Sequence, residues 1–152
     1  MTVESHSRVD FTCWFLAPAL LVAAAAATPL LLSRGYIAIW YPLHYGFSLV
    51  CHQRPDRSFY LFGAPIAVCA RCLGIYLGAA IGLLLRTSRS IALRLLIVTA
   101  SLNLLDGLTE LVGPHGNWMK VRFVLGLALG VAGALLILSS LPQTPARAAT
   151  IS

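Results

Sequence analysis

The chain has 152 residues, 59% of them hydrophobic and only 11% charged, with a net charge of +6 and a mean hydropathy of +0.83. A soluble domain of this length carries roughly 25% charged residues, so there is too little charge here to cover a water-exposed surface, and the alternative solvent is lipid. The eleven Lys and Arg residues are scattered among apolar segments and form no basic stripe, which argues against nucleic acid and for anionic lipid headgroups as their partners.

The apolar runs are long and rich in Leu, Ala and Gly, which favours helices over the period-two strands of a membrane barrel. The expected fold is all-α: an integral membrane bundle of about four transmembrane helices, forming a single domain over residues 11–141. Residues 1–10 are polar and read as a frayed tail. The first span covers about 11–32, the length that crosses a bilayer. Residues 23–27 imitate a signal-peptide cleavage region, but the apolar stretch continues through Leu32, so a retained helix is expected. Residues 35–50 are apolar, short, interrupted by Pro42 and rich in Tyr and Trp, as suits a segment lying at the membrane interface. A polar loop beginning at Cys51 leads to the second span, about 66–85. The short loop 86–90 leads to the third, about 91–112, and the fourth covers about 121–141. Residues 142–152 read as a disordered tail. Gly74, Gly78 and Gly82 recur every fourth residue, as do Gly126 and Gly130, which predicts close helix packing.

The tight loop 86–90 makes the second and third spans antiparallel. The start of the second then shares a membrane face with the end of the third. Cys72, Asp106 and Glu110 should fall within roughly 10 Å of that surface, at 1.5 Å rise per residue. Cys51, His52, His115, Lys120 and Arg122 belong to the same face. Ionisable groups inside a membrane helix face partners or a wet cavity. Asp106 and Glu110 therefore stand as candidate catalytic groups, together with Arg71 and Arg57. The plainer reading is a salt bridge from Asp106 to Arg71 or Arg122 that only holds the bundle together.

Cys13 is alone in the first span and reads as packing. Cys51, His52, Cys69 and Cys72 together carry the donor set of a tetrahedral zinc or iron site, and zinc is the expected ion. Cys51 and His52 are adjacent, and neighbours rarely reach one ion together, so His115 or His44 competes with His52 as fourth ligand. A second reading is redox. A C-x-x-C at a helix N-terminus, beside Arg71, favours thiolate, and Cys51 would be the exchange partner of a membrane thiol-disulfide oxidoreductase. A third reading is a transporter or lipid-handling protein that uses Asp106 and Glu110 at a wet cavity. Arg54, Arg57 and Arg71 suggest binding of an anion, either a small molecule or a lipid headgroup. The plainer reading pairs them with Asp56 and with headgroups.

The run CHQRPDRSFYLFGAPIAVCARCLGIYLG resembles a family of small prokaryotic membrane proteins, domain of unknown function 2085. The motif residues are Cys51, His52, Gln53, Arg57, Ser58, Phe59, Cys69, Ala70, Arg71, Cys72, Gly74, Ile75 and Tyr76. The resemblance continues through Asp106, Gly107, Thr109, Gly113, Arg122 and Gly126. It implies a multi-span protein of the cytoplasmic membrane and carries no activity with it. Leu73 replaces the hydroxyl residue usual in the family. Glu110 replaces a frequent Gln, which makes Asp106 the better candidate for a catalytic base. Arg86 and Arg89 favour a cytoplasmic loop 86–90 and hence an external site face, although Arg34, Arg54, Arg57, Arg71, Lys120 and Arg122 crowd that face.

Overall fold

The computed structural model describes residues 3–112 and 118–140, with side chains from 16 to 109 and from 118 to 140. The elements in chain order are α1 (Val3–Ser33), α2 (Ile37–Ser48), a 3-10 turn (Pro55–Arg57), β1 (Tyr60–Leu61), β2 (Ala64–Pro65), α3 (Ala70–Gly82), α4 (Arg89–Val112) and α5 (Met119–Ser140). The chain is a helical bundle, and three of its helices contain stretches long and apolar enough to cross a membrane: Leu16–Ser33, Arg89–Thr109 and Met119–Ser140.

Three sequence expectations change. The first helix begins at Val3, so residues 3–10 extend it instead of forming a tail. Pro42 lies within α2 and does not break it. The carbonyl it deprives of a donor is that of Ala38, which is exposed and free to meet water or headgroups. The second span, expected over 66–85, contracts to the 13-residue α3, and residues 66–69 belong to the preceding loop. At about 20 Å, α3 falls short of a hydrocarbon core of about 30 Å. Residues 142–152 and the 113–117 segment that carries His115 lie outside the described residues.

The closest packing joins α3 to α5, which run parallel. At Gly74, Gly78, Gly126 and Gly130 the glycine meets backbone of the other helix. A β-carbon on Gly74 would collide with the Phe123 carbonyl oxygen, one on Gly78 with the Leu127 carbonyl, and one on Gly130 with the Ile75 carbonyl. One on Gly82 would sit 2.8 Å from both the Val131 carbonyl oxygen and the Ala134 β-carbon. Lipid chains are as apolar as leucine, so helices in a membrane gain by bringing backbones together, and glycine permits it. The other face of α5 receives α4, so α5 lies between α3 and α4. Asn103, buried in α4, ties this second contact by donating to the Leu125 carbonyl at 3.0 Å. On its far side α3 meets α1, and α1 carries α2.

Pro29 leaves the Ala25 carbonyl in α1 without its usual helical donor. The Thr28 hydroxyl takes that role, donating to Ala25 O at 2.7 Å. The Thr28 hydroxyl oxygen in turn accepts the Ala67 N–H at 3.1 Å, which fastens the loop ahead of α3 to α1. Thr28 and Pro29 are both fully buried there.

The α3–α5 contact generates a paired test. Gly78→Ala forces a methyl group onto a backbone carbonyl and should cost about 1–3 kcal/mol, the usual range for overpacking. Gly133→Ala, where nothing lies within 4 Å of the new carbon, should leave thermal unfolding in detergent unchanged or slightly delayed. Equal melting temperatures for the two variants would contradict the packing described.

Candidate metal centre

Cys51 follows α2 directly, its N–H donating to Phe47 O at 2.9 Å. Two residues later the chain reverses at Gln53, which has φ of 47°, a left-handed conformation uncommon outside glycine. Its side chain holds the reversal. Nε2 donates to His44 O at 2.6 Å and to Ala67 O at 2.9 Å, so one amide joins the end of α2 to the approach to α3. The intervening chain returns through a two-residue hairpin whose central residues, Phe62 and Gly63, have φ of 51° and 79°. Paired positive φ values mark the turn type that suits the twist of a hairpin. Ser58, fully buried, donates to Arg54 O at 3.0 Å. Ile66, Ala67 and Val68 then pack into a small core with Ala25, Phe47 and Cys51.

These ties bring three sulfurs together. Sγ of Cys51, Cys69 and Cys72 all lie within 4.8 Å of one another. Cys69 occupies the residue before α3, and Cys72 lies on the first turn. The Cys69 N–H donates to Cys51 Sγ at 3.2 Å. Hydrogen bonds from the Cys51 and Cys72 thiols hold the Cys69 thiol well below its ordinary value, against desolvation that raises it. Three thiolates on one zinc, at about 2.3 Å each, need sulfurs roughly 4 Å apart, which this group approaches without rearrangement of the chain.

No histidine among the described residues joins the group. His52 is exposed and lies outside it, because consecutive side chains on an extended stretch diverge. His44 stacks on Trp40, with ring centroids 4.9 Å apart, and burial lowers its pKa, favouring the neutral ring. The structure thus assembles the three cysteines and leaves His52 apart. Gln53 is the residue that sequence reasoning missed. It was visible as the third residue of the Cys-His-Gln motif, but its role is to shape the backbone.

A second polar group lies beside the sulfurs. Asp106, on α4, accepts a hydrogen bond from Arg71 of α3 and lies 3.6 Å from Nε of Arg122 of α5. Three helices therefore meet at one carboxylate, and its side chain is only 17% exposed. The side chain of Glu110 lies outside the described residues. Arg57 comes from the loop, where Asp56 lies 3.2 Å from Arg54 and 3.5 Å from Arg57. Asp56 is drawn below the usual carboxylate value: desolvation, the largest single effect, raises it, but the Arg54 hydrogen bond, a backbone hydrogen bond and the charges of Arg54 and Arg57 together prevail. Between the two groups is a cleft of about 560 Å³, walled by the three cysteines, His52, Val50, Gly107 and the arginines 54, 57, 71 and 122.

The two carboxylates should respond differently to neutralisation. Asp106→Asn removes the charge that Arg71 and Arg122 both approach at the end of the bundle. Breaking a fully buried pair costs roughly 3–5 kcal/mol, and partial exposure here reduces that to about 2 kcal/mol. Asp56→Asn, at an exposed and solvent-screened pair, should leave thermal unfolding close to that of the wild type. Thermal unfolding in one detergent reads both variants. A milder effect at Asp106 than at Asp56 would refute a load shared by three helices.

Residues 51–136 match the family described as "Predicted membrane protein (DUF2085)". The matched segment contains the three clustered cysteines, the four cleft arginines and Asp106. An uncharacterised protein of Methanocaldococcus jannaschii is 35% identical over 99 residues, which is 60% of this chain and 64% of the relative. Another uncharacterised protein, from Methanothermobacter thermautotrophicus, is 36% identical over 97 residues, 59% of this chain and 86% of the relative. The chain thus spans just under two thirds of the first relative's length. No solved structure matches it. A match over more than half of the sequence, starting at the first clustered cysteine and ending within α5, places the chain in the DUF2085 family of predicted membrane proteins.

Proposed function

We propose that this membrane protein binds one metal ion, zinc, through the thiolates of Cys51, Cys69 and Cys72 at one face of the bilayer. The observation that carries this reading is the convergence of three sulfurs from two separate segments to within 4.8 Å. Soft thiolates select zinc, copper(I) or iron–sulfur chemistry, and a lone tetrahedral site suits zinc. With His52 exposed and apart, the described residues supply three ligands, and the fourth coordination position is assigned to a small ligand entering from the cleft. Binding would also hold the loop to the bundle, since a site built from two segments forms only when both are folded.

The thiol-disulfide reading uses the same residues. A disulfide needs only two sulfurs, at about 2.05 Å. The hydrogen bonds of Gln53 and Thr28 position the Cys51 loop against Cys69, and the three sulfurs together approach the spacing that one shared ion needs. That favours the metal.

The expected location is the cytoplasmic membrane of a prokaryote, with the cysteine face outside, because Arg86 and Arg89 flank the opposite loop. A Ser88→Cys variant should show labelling by a membrane-impermeant maleimide beyond that of the wild-type chain only from the cytoplasmic side. Additional labelling from outside would reverse the orientation.

Elemental analysis of protein purified in mild detergent should find close to one zinc per chain. Cys51→Ser and Cys69→Ser should each lose it, and His52→Ala should keep it. A chelator should expose three additional titratable thiols. Metal-free protein that forms a reversible Cys69–Cys72 or Cys51–Cys72 disulfide would overturn the assignment.

A further inference from the structure

We propose that α2 and the hairpin 60–65 dip into the membrane from the cysteine face as a shallow re-entrant pair, and that lipid of that leaflet covers the apolar surface they present. The proposal rests on helix lengths and on the Thr28 tie, and it stands whether or not the thiolates hold an ion.

Depth is the first argument. No Lys, Arg, Asp or Glu stands between Asp10 and Arg34, and α1 runs unbroken across that stretch. Residues 11–33 rise about 35 Å, enough to fill a hydrocarbon layer of about 30 Å, so Arg34 marks the boundary at the cysteine face. Thr28 lies about 9 Å inside that mark and accepts the Ala67 N–H, which fixes the loop at the same level. Two other helices agree. α3 and the three leucines after it rise about 24 Å, so with Arg86 at the opposite boundary the helix begins about 6 Å below the cysteine face. Asp106 lies about 25 Å along α4 from Arg89 and falls short of the same boundary by about 5 Å.

The surface at that depth is the second argument. α2 turns Trp40, Leu43, His44 and Phe47 inward, at the spacing of one helix face. Phe47 reaches the core that includes Ala25 of α1. The opposite face presents Tyr41 and Tyr45, both exposed, with ring centroids stacked 6.4 Å apart. Both strands of the hairpin lie against α1. Tyr60, Leu61 and Phe62 are exposed there, Phe62 by 68%. Residues 35–53 and 58–70 contain no Lys, Arg, Asp or Glu, and the charges of the loop are confined to 54–57. A contiguous apolar surface of this kind is costly in water. Tyrosine rings are enriched where acyl chains meet headgroups, which is the level that the helix lengths give.

The backbone keeps the insertion shallow. Open strand edges are excluded from the centre of a bilayer. At about 5–9 Å inside the boundary, ring hydroxyls and free carbonyls still meet water and headgroups. The hairpin pairs its own strands, and behind it the Ile66 N–H donates to Phe59 O at 2.9 Å. Cys69, two residues beyond Ala67, is thereby held under the headgroups.

The test uses the full chain in phosphatidylcholine vesicles. Phe62→Trp is made together with Trp14→Phe, Trp40→Phe and Trp118→Phe, so that a single indole reports from the hairpin. Acyl chains brominated in their upper half should remove about half of its emission, and aqueous iodide should quench it several-fold less than it quenches a free tryptophan analogue. Should that variant fail to fold, the wild-type chain is irradiated with a phosphatidylcholine whose acyl chain carries a diazirine. Trypsin cuts after Arg57 and Arg71, and the 58–71 peptide that holds the hairpin should carry lipid adducts at Tyr60, Leu61 or Phe62. Iodide quenching as strong as that of the free analogue would mean that water or a soluble partner meets the hairpin. Quenching by neither agent would mean that protein, such as a second copy of the chain, covers it. Either result overturns the proposal, as does a 58–71 peptide free of adducts when peptides of α5 carry them.

Discussion

The backbone contact between α3 and α5 sets the position of every polar group described above. With only hydrogen on the α-carbons of Gly74, Gly78, Gly126 and Gly130, carbonyl oxygens of one helix rest against the other. Gly126 lies against the carbonyl of Arg71 itself. That contact fixes the height of Arg71 relative to Arg122, which is one turn above Gly126 on α5. Cys72 follows Arg71 and is fixed with it. A contact made by methyl groups would push the helices apart and separate the two arginines from the one carboxylate they share.

The shortness of α3 has a consequence for depth. From Arg89 to Asp106, α4 rises about 25 Å, most of the thickness of a hydrocarbon layer. The Arg71–Asp106–Arg122 group therefore lies near the opposite membrane boundary from Arg89, and the loop 51–69 covers it. Folded loop backbone at that depth must satisfy its own hydrogen bonds. Thr28, Gln53 and Ser58 supply them, and two of these interactions end on Ala67, two residues before Cys69. The helix distortion at Pro29, the loop and the sulfur group form one connected arrangement.

Much of this was legible in the sequence, for physical reasons that differ by residue. Glycines every fourth residue announce a close helix contact whatever the partner. Asp106 in an apolar run demands a cation, and Arg71 and Arg122 were the candidates at the same face. The C-x-x-C spacing places two sulfurs on one side of a helical turn. Other features depend on pairing that a single sequence does not display. The loop 86–90 shows that α3 and α4 are antiparallel, but not that α5 lies between them. The length of α3 was overestimated because 66–68 are apolar for another reason: they fill the core beneath the loop. His52 looked like a ligand by type, yet it is exposed and stands apart from the sulfurs, its side chain diverging from that of Cys51. Gln53 itself, an ordinary polar residue in a loop, shows its importance only when both carbonyls it bridges are in place.

Bundle and loop together bring three sulfurs close enough to share the one ion proposed above. X-ray absorption at the zinc edge on detergent-purified protein measures that centre directly. The account predicts three sulfur neighbours at about 2.3 Å and one lighter atom completing the shell. A shell with fewer than three sulfurs, or zinc-free protein in which two of the cysteines are joined at about 2.05 Å, would contradict it.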